Sequence, residues 1–133
     1  MHVSSDPPLR GPKAIWGEAL GERFCPVSTY FMHNLHRLGA GGLTPTQTLV
    51  LLQILSHKWG NDAPYPSLAK IGKRIGLDVR TVRRAVRQLE DFQLLRRESQ
   101  KVGGTNRYHF DGLVQKLEEL MRTDQDKTAY HEH

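Results

Sequence analysis

The sequence predicts a mainly α-helical fold: a three-helix core closed by a small β-hairpin, with further helices flanking it on either side. Two observations carry this. Apolar residues recur at helical spacing in three successive short segments between residues 44 and 91. The period then changes over residues 94–110, where LLRRESQ, KVGGT and NRYHF read as strand, glycine turn and strand. Apolar stripes on either side of this block, in PVSTYFMHNLHRLGAGG and after Asp111, supply the flanking helices.

Residues 1–22 are rich in proline, glycine and polar groups, and predict a flexible N-terminal arm with Ile15 and Trp16 as its anchors. Residues 23–42 form an N-terminal helical segment. Val27, Phe31, Leu35 and Leu38 fall at spacings of 4, 4 and 3, and the glycines at 39, 41 and 42 end the stripe. The domain expected over residues 43–111 opens at Thr44-Pro45-Thr46-Gln47. A threonine cap with glutamine three residues on is a capping box, and proline at the first helical position already has the required φ. Val50, Leu51, Ile54 and Leu55 continue the helix to about residue 58, with Trp59 a turn further on and Gly60-Asn61-Asp62 as the stop.

Prolines make Ala63-Pro64-Tyr65-Pro66 extended. Ser67 then caps a second helix carrying Leu68, Ile71 and Ile75 on one side. Gly76 gives a left-handed exit, and Asp78 caps a third helix over 79–91. Two short helices joined through Gly76-Leu77 are a helix-turn-helix signature. The hairpin spans 94–110 and places Tyr108 and Phe110 on one face. Asp111 caps a C-terminal helix over 112–122 with Leu113, Val114, Leu117, Leu120 and Met121 as its stripe, and 123–133 reads as a disordered tail.

Bulk composition narrows the function classes. A chain of 133 residues with 38% apolar and 25% charged residues suits one modest soluble core. No apolar run approaches the roughly 18 residues of a membrane span, and the N-terminus lacks the apolar core of a secretory signal. One cysteine, Cys25, excludes an intrachain disulfide and fits a reducing cytoplasm. Charge says more. Residues 67–110 carry eleven bases and four acids, a balance of +7, while the other eight bases and ten acids sum to −2. Concentrating the positive charge in a third of the chain is the asymmetry of a nucleic-acid footprint.

The third helix concentrates it further. At about 100° per residue from Arg80, Val82, Ala85, Val86 and Leu89 cluster near 140–240° and form the buried side. Arg84 falls at about 40°, Arg87 at about 340° and Arg83 at about 300°, with Thr81 at about 100° beside them. Arginines three and four apart repel by a few tenths of a kcal/mol per pair, a penalty that a polyanion opposite removes as counterions are released. The arginine fork also fits guanine O6 and N7 in the major groove.

Pro66-Ser67, the run Gly72-Lys73-Arg74-Ile75-Gly76-Leu77-Asp78-Val79-Arg80-Thr81-Val82, Leu89, and Gly103-Gly104-Thr105-Asn106-Arg107-Tyr108 together resemble a bacterial winged helix-turn-helix domain. The likeness extends to the modules of plasmid and phage replication initiators and of mobile-element regulators, and covers about residues 43–110. Gly72 stands where the family usually has alanine, and Asp78 where it has serine.

The resemblance implies a sequence-preferring double-stranded DNA-binding protein, a transcriptional regulator or an origin-binding factor of a plasmid, phage or other mobile element. Its cytoplasmic location would be at nucleoid or plasmid. Arg80, Thr81, Arg83 and Arg84 would face the major groove and Arg87 the flanking backbone, with Arg96, Arg97, Lys101 and Arg107 on the wing and Ser67 and Lys70 at phosphates. The alternative is a protein-interaction winged helix whose basic face meets an acidic partner protein. Homodimerisation is expected through the N-terminal segment or the 112–122 helix.

No enzyme is expected. His33 and His36 have metal-ligand spacing but no Cys, Asp or Glu in register, so no metal is expected. Cys25 has no base marked for it, and no phosphate-cradling loop, cofactor or small-molecule ligand is evident.

Overall fold

The structure, a computed structural model, describes residues 7, 8, 10–58, 64, 66–99 and 106–131. In chain order its elements are α1 (Pro12–Leu20), α2 (Thr29–His33), a single 3₁₀ turn at Leu35–Arg37, α3 (Pro45–Leu55), α4 (Leu68–Ile75), α5 (Val79–Asp91), β1 (Arg96–Glu98), β2 (Arg107–His109) and α6 (Asp111–His131).

The expected capping box starts α3. Thr44 Oγ1 accepts from the Gln47 N–H at 3.1 Å, and Gln47 Oε1 accepts from the Thr44 N–H at 3.0 Å. Val50, Leu51 and Ile54 are fully buried. The helix stops at Leu55, short of residue 58, because its last turn tightens. The N–H groups of His57 and Lys58 bond back three residues, to Ile54 and Leu55. Trp59 and the stop at Gly60-Asn61-Asp62 lie outside the described residues.

The α4–α5 corner follows from its residues. Ser67 Oγ accepts from the Lys70 N–H at 3.4 Å at the start of α4. Gly76 closes that helix in the left-handed region (φ 73°, ψ 30°), and the Leu77 N–H bonds Gly72 O at 2.9 Å. A Cβ on Gly72 would stand 2.5 Å from Leu77 O and 3.4 Å from Val82 Cγ2. Glycine therefore lets the turn fold down onto α4, which offsets its weak helix propensity. Asp78 Oδ1 accepts from the Thr81 N–H at 2.7 Å and starts α5.

Val82, Ala85, Val86 and Leu89 are all buried, with α5 packed on both α3 and α4. Burial contributes about 1.5–3 kcal/mol for each of the larger three. Gln47 adds a polar tie, its Nε2 donating to Gln88 Oε1 at 2.9 Å. After Asp91 the chain exits by a Schellman turn, with Leu94 N–H bonded to Leu89 O and Gln93 N–H to Glu90 O. The left-handed residue there is Gln93 (φ 61°) rather than glycine.

β1 and β2 pair antiparallel, with Arg96 opposite His109, Arg97 opposite Tyr108 and Glu98 opposite Arg107. The Tyr108 N–H bonds Pro64 O at 2.8 Å, which ties Pro64, ahead of α4, to the outer edge of the hairpin. Tyr108 and Phe110 are buried in the same core as α3, α4 and α5. The result is the predicted three-helix core with a two-stranded wing.

The flanks differ from expectation. Residues 12–20, expected inside a flexible arm over 1–22, form α1, with Pro12 at its first position, a bend at Gly17, and Lys13 ion-paired to Glu18 and Glu22. Ile15 and Trp16 do not anchor it, being 75% and 62% exposed. In the 23–42 segment Phe31 and Leu38 are buried, and Val27 and Leu35 pack against the core. The last helix, expected over 112–122 with a disordered tail over 123–133, instead runs to His131. Asp124 explains part of the extension. Arg37 grips its carboxylate through both terminal nitrogens, at 2.9 and 3.1 Å, and the Tyr30 hydroxyl donates to it. Leu113, Leu117 and Leu120 turn to the core, whereas Val114 and Met121 of the same stripe stay outside.

Candidate nucleic-acid interface

An open cleft of about 660 Å³ lies between the N-terminus of α4, one flank of α5 and the wing. Arg80, Arg83, Arg87 and Arg97 converge on it, and Pro66, Ser67, Asn106 and Tyr108 complete much of its wall. Strand alternation explains why Arg97 belongs. It stands directly opposite Tyr108, so both side chains leave the same face of the hairpin. Tyr108 is 1% exposed, burial pushes its hydroxyl pKa up, and that hydroxyl is hydrogen-bonded to Asn106.

The helical wheel is divided more sharply than the sequence indicated. Arg83 joins Arg80 and Arg87 on the flank facing the wing, while Arg84 is exposed but does not line the cleft. Gln88, next to Arg84 on the wheel, is held by Gln47 of α3. Thus α5 presents a cleft flank and an outer ridge, with Arg84 on the ridge. None of the four α5 arginines forms an ion pair with a described residue.

The other predicted site residues separate. Ser67 lines the cleft and Lys70 is exposed outside it. Thr81 is tied into the start of α5, its N–H and its hydroxyl both directed at Asp78. Those bonds, the backbone N–H first, hold the Asp78 carboxyl below its usual pKa, with the Arg80 charge adding to the effect. The carboxylate is thereby fastened to the helix start rather than free to repel a phosphate.

On the wing, Arg96 leaves the opposite face from Arg97 and reaches Asp111 at 3.5 Å, away from the cleft. Arg107 is half-buried on β2 and also engaged. Lys101 lies outside the described residues. Sequence reasoning missed Asn106 and Tyr108 as cleft residues and Glu90 as the partner of Arg97 at 3.3 Å. The Tyr108–Arg97 register was the available signal for the first. Nothing local in the sequence marks the second.

Among the described residues, no group of three or more His, Cys, Asp and Glu is placed to hold a metal, and no helix is long and apolar enough to cross a membrane. No curated protein matches the chain. Residues 41–95, the stretch that contains α3, α4 and α5, match the model of a family described as a helix-turn-helix domain. With the hairpin that follows them, these elements fit a winged helix-turn-helix fold, which suggests DNA binding.

Proposed function

We propose that the protein is a sequence-preferring double-stranded DNA-binding protein that acts by binding rather than catalysis. In this reading α5 enters the major groove, with Arg80 and Arg84 toward base edges, and the wing lies along the adjacent backbone. One observation carries the reading: four exposed arginines on α5 have no acidic partner among the described residues, in a domain of helix-turn-helix type. A solvated face with no ligand would gain from acids at i+4, and of those four positions only Asp91, after Arg87, is acidic, with no ion pair among the described residues.

The biological role we assign is that of a cytoplasmic transcriptional regulator or an origin-binding factor of a mobile element. Self-association belongs to the same reading, with a second copy meeting the exposed Val114 and Met121 of α6. Two such modules would double the phosphate contacts and suit a palindromic site. Selection of bound fragments from the source genome tests the role, because a promoter site marks a regulator and a replication origin marks an initiation factor. Weak binding that is insensitive to salt and indifferent to sequence would overturn the DNA reading altogether.

A further inference from the structure

Glu90 is an acid at the edge of a basic cleft, which calls for a reason. It lies at about 280° on the wheel from Arg80, on the same flank as Arg83 and Arg87. Its Oε1 is shielded from solvent and accepts no hydrogen bond from a described residue, and an Arg97 guanidinium nitrogen lies 3.3 Å away. The acid sits behind the base: the Glu90 side chain is 25% exposed against 38% for Arg97, and Arg97 lines the cleft whereas Glu90 does not. The Arg96–Asp111 pair of the wing is arranged the opposite way. Asp111 is 82% exposed against 62% for Arg96, so an approaching anion would meet that acid first.

We propose that Glu90 is a positioning residue: it holds Arg97 of the wing at the cleft lined by Arg83 and Arg87, so that the three guanidinium groups meet successive backbone phosphates of the DNA. The inference rests on the DNA-binding reading above and adds to it which wing cation is used and what aims it. A guanidinium has five N–H donors in a fixed fork. With one terminal nitrogen in ion-pair range of Glu90, the other donors are left for a phosphate. A free arginine on a two-stranded wing would have to be ordered at the moment of binding, and the pair removes that penalty in advance.

The sign of one substitution separates this role from a chance ion pair. Removing an acid from a DNA-binding surface ordinarily strengthens binding, because a repulsion is lost. A positioning role predicts the reverse. Binding of the full chain to a fluorescein-labelled random-sequence duplex, followed by anisotropy, reads backbone contacts without base preference. Glu90→Gln keeps the shape of the side chain, and it should weaken binding by about 3–10-fold, the scale of one imperfectly held phosphate contact. In an Arg97→Ala background the same change should tighten binding slightly, since nothing is left to position.

Tighter or unchanged binding by the single Glu90→Gln variant, or the same loss with and without Arg97, overturns the proposal. Melting of each variant checks that the fold is intact. If Glu90→Gln unfolds the domain, Arg97→Ala in an otherwise natural chain decides, and no loss of affinity there overturns the proposal too. Failure of the natural chain to bind the duplex would instead reject the DNA reading, an outcome distinct from either.

Discussion

The division of α5 into a cleft flank and an outer ridge makes a quantitative prediction for Arg83 and Arg87. Both line the cleft beside Arg97, and neither has an acidic partner among the described residues. Each is therefore placed to neutralise a backbone phosphate, and each contact contributes about 0.9 to the slope of log K against log salt on B-DNA. Replacing both with glutamine should flatten that slope by about 1.8. Over a fourfold rise in salt, such as 50 to 200 mM, the affinity deficit of the double variant should shrink by about 12-fold. The loss should also be the same on every sequence, because phosphate contacts carry no base information. Anisotropy titrations across a salt series, on a selected site and on a scrambled duplex, measure both quantities. A double variant whose slope equals that of the natural chain would refute the assignment, whatever its loss at a single salt concentration. A loss confined to the selected site would move Arg83 and Arg87 to base edges.

Arg84, exposed on the ridge outside the cleft, should behave in the complementary way: Arg84→Ala should cost about 1–3 kcal/mol on the selected site and relax its base preference, measured by competition among single-base variants of the site. At the exit of α5, Gln93→Gly should raise unfolding stability by about 0.5–1 kcal/mol in urea titrations, because Gln93 occupies the left-handed region (φ 61°) that glycine enters without strain. Acid should destabilise the fold. The Thr81 N–H lowers the Asp78 pKa, the His109 side chain that of Glu98, and the Arg37 side chain that of Asp124. A carboxyl whose pKa is depressed in the folded state stabilises fully above its ordinary value and loses that contribution as pH falls through the depressed one. His57, whose pKa burial and then the Arg74 charge push down, should add a shallow decline below about pH 6.5, and thermal melts should drop steeply below about pH 4, with Asp124→Asn removing part of that steeper drop.

Much of the core was legible because its residues repeat at one period and satisfy local rules. Thr44 with Gln47, Asp78 with Thr81, and the Val82-Ala85-Val86-Leu89 stripe each specify geometry within a turn or two of helix. What escaped the sequence depends on partners far along the chain. Asp124 is unremarkable locally, yet it meets Arg37, 87 residues away, and α6 continues to His131, within the tail expected to fray. The α6 stripe reads as one face, and the packing divides it, with Leu113, Leu117 and Leu120 inward and Val114 and Met121 outward. The site behaved likewise. The wheel placed the arginines opposite the core, but only the wing's position distinguishes Arg83 from Arg84. Arg96 and Arg97 are adjacent and chemically identical, and the strand pleat sends them to opposite faces.

The acids around the cleft show what folding alone leaves unexplained. Asp78 starts α5, Glu90 backs Arg97 and Glu98 holds His109. Asp91, four residues after Arg87, forms no ion pair among the described residues. The fold thus directs its nearby carboxylates to geometry and leaves the α5 arginines repelling one another. That arrangement should be measurable as instability. Arg84 has Arg80 four residues before it and Arg87 three after, two like-charge contacts of about 0.2–0.5 kcal/mol each at low salt. Arg84→Gln keeps a good helix former and should therefore stabilise the free protein by about 0.5–1 kcal/mol in low-salt urea unfolding, and the gain should vanish near 1 M salt, where screening is short-ranged. The same variant should bind its DNA site more weakly, which is the stability–function opposition expected of a surface shaped for a ligand. Equal or lower stability of Arg84→Gln at low salt would mean that the arginine face is already compensated within the protein, and the argument from missing counter-charge would fail with it.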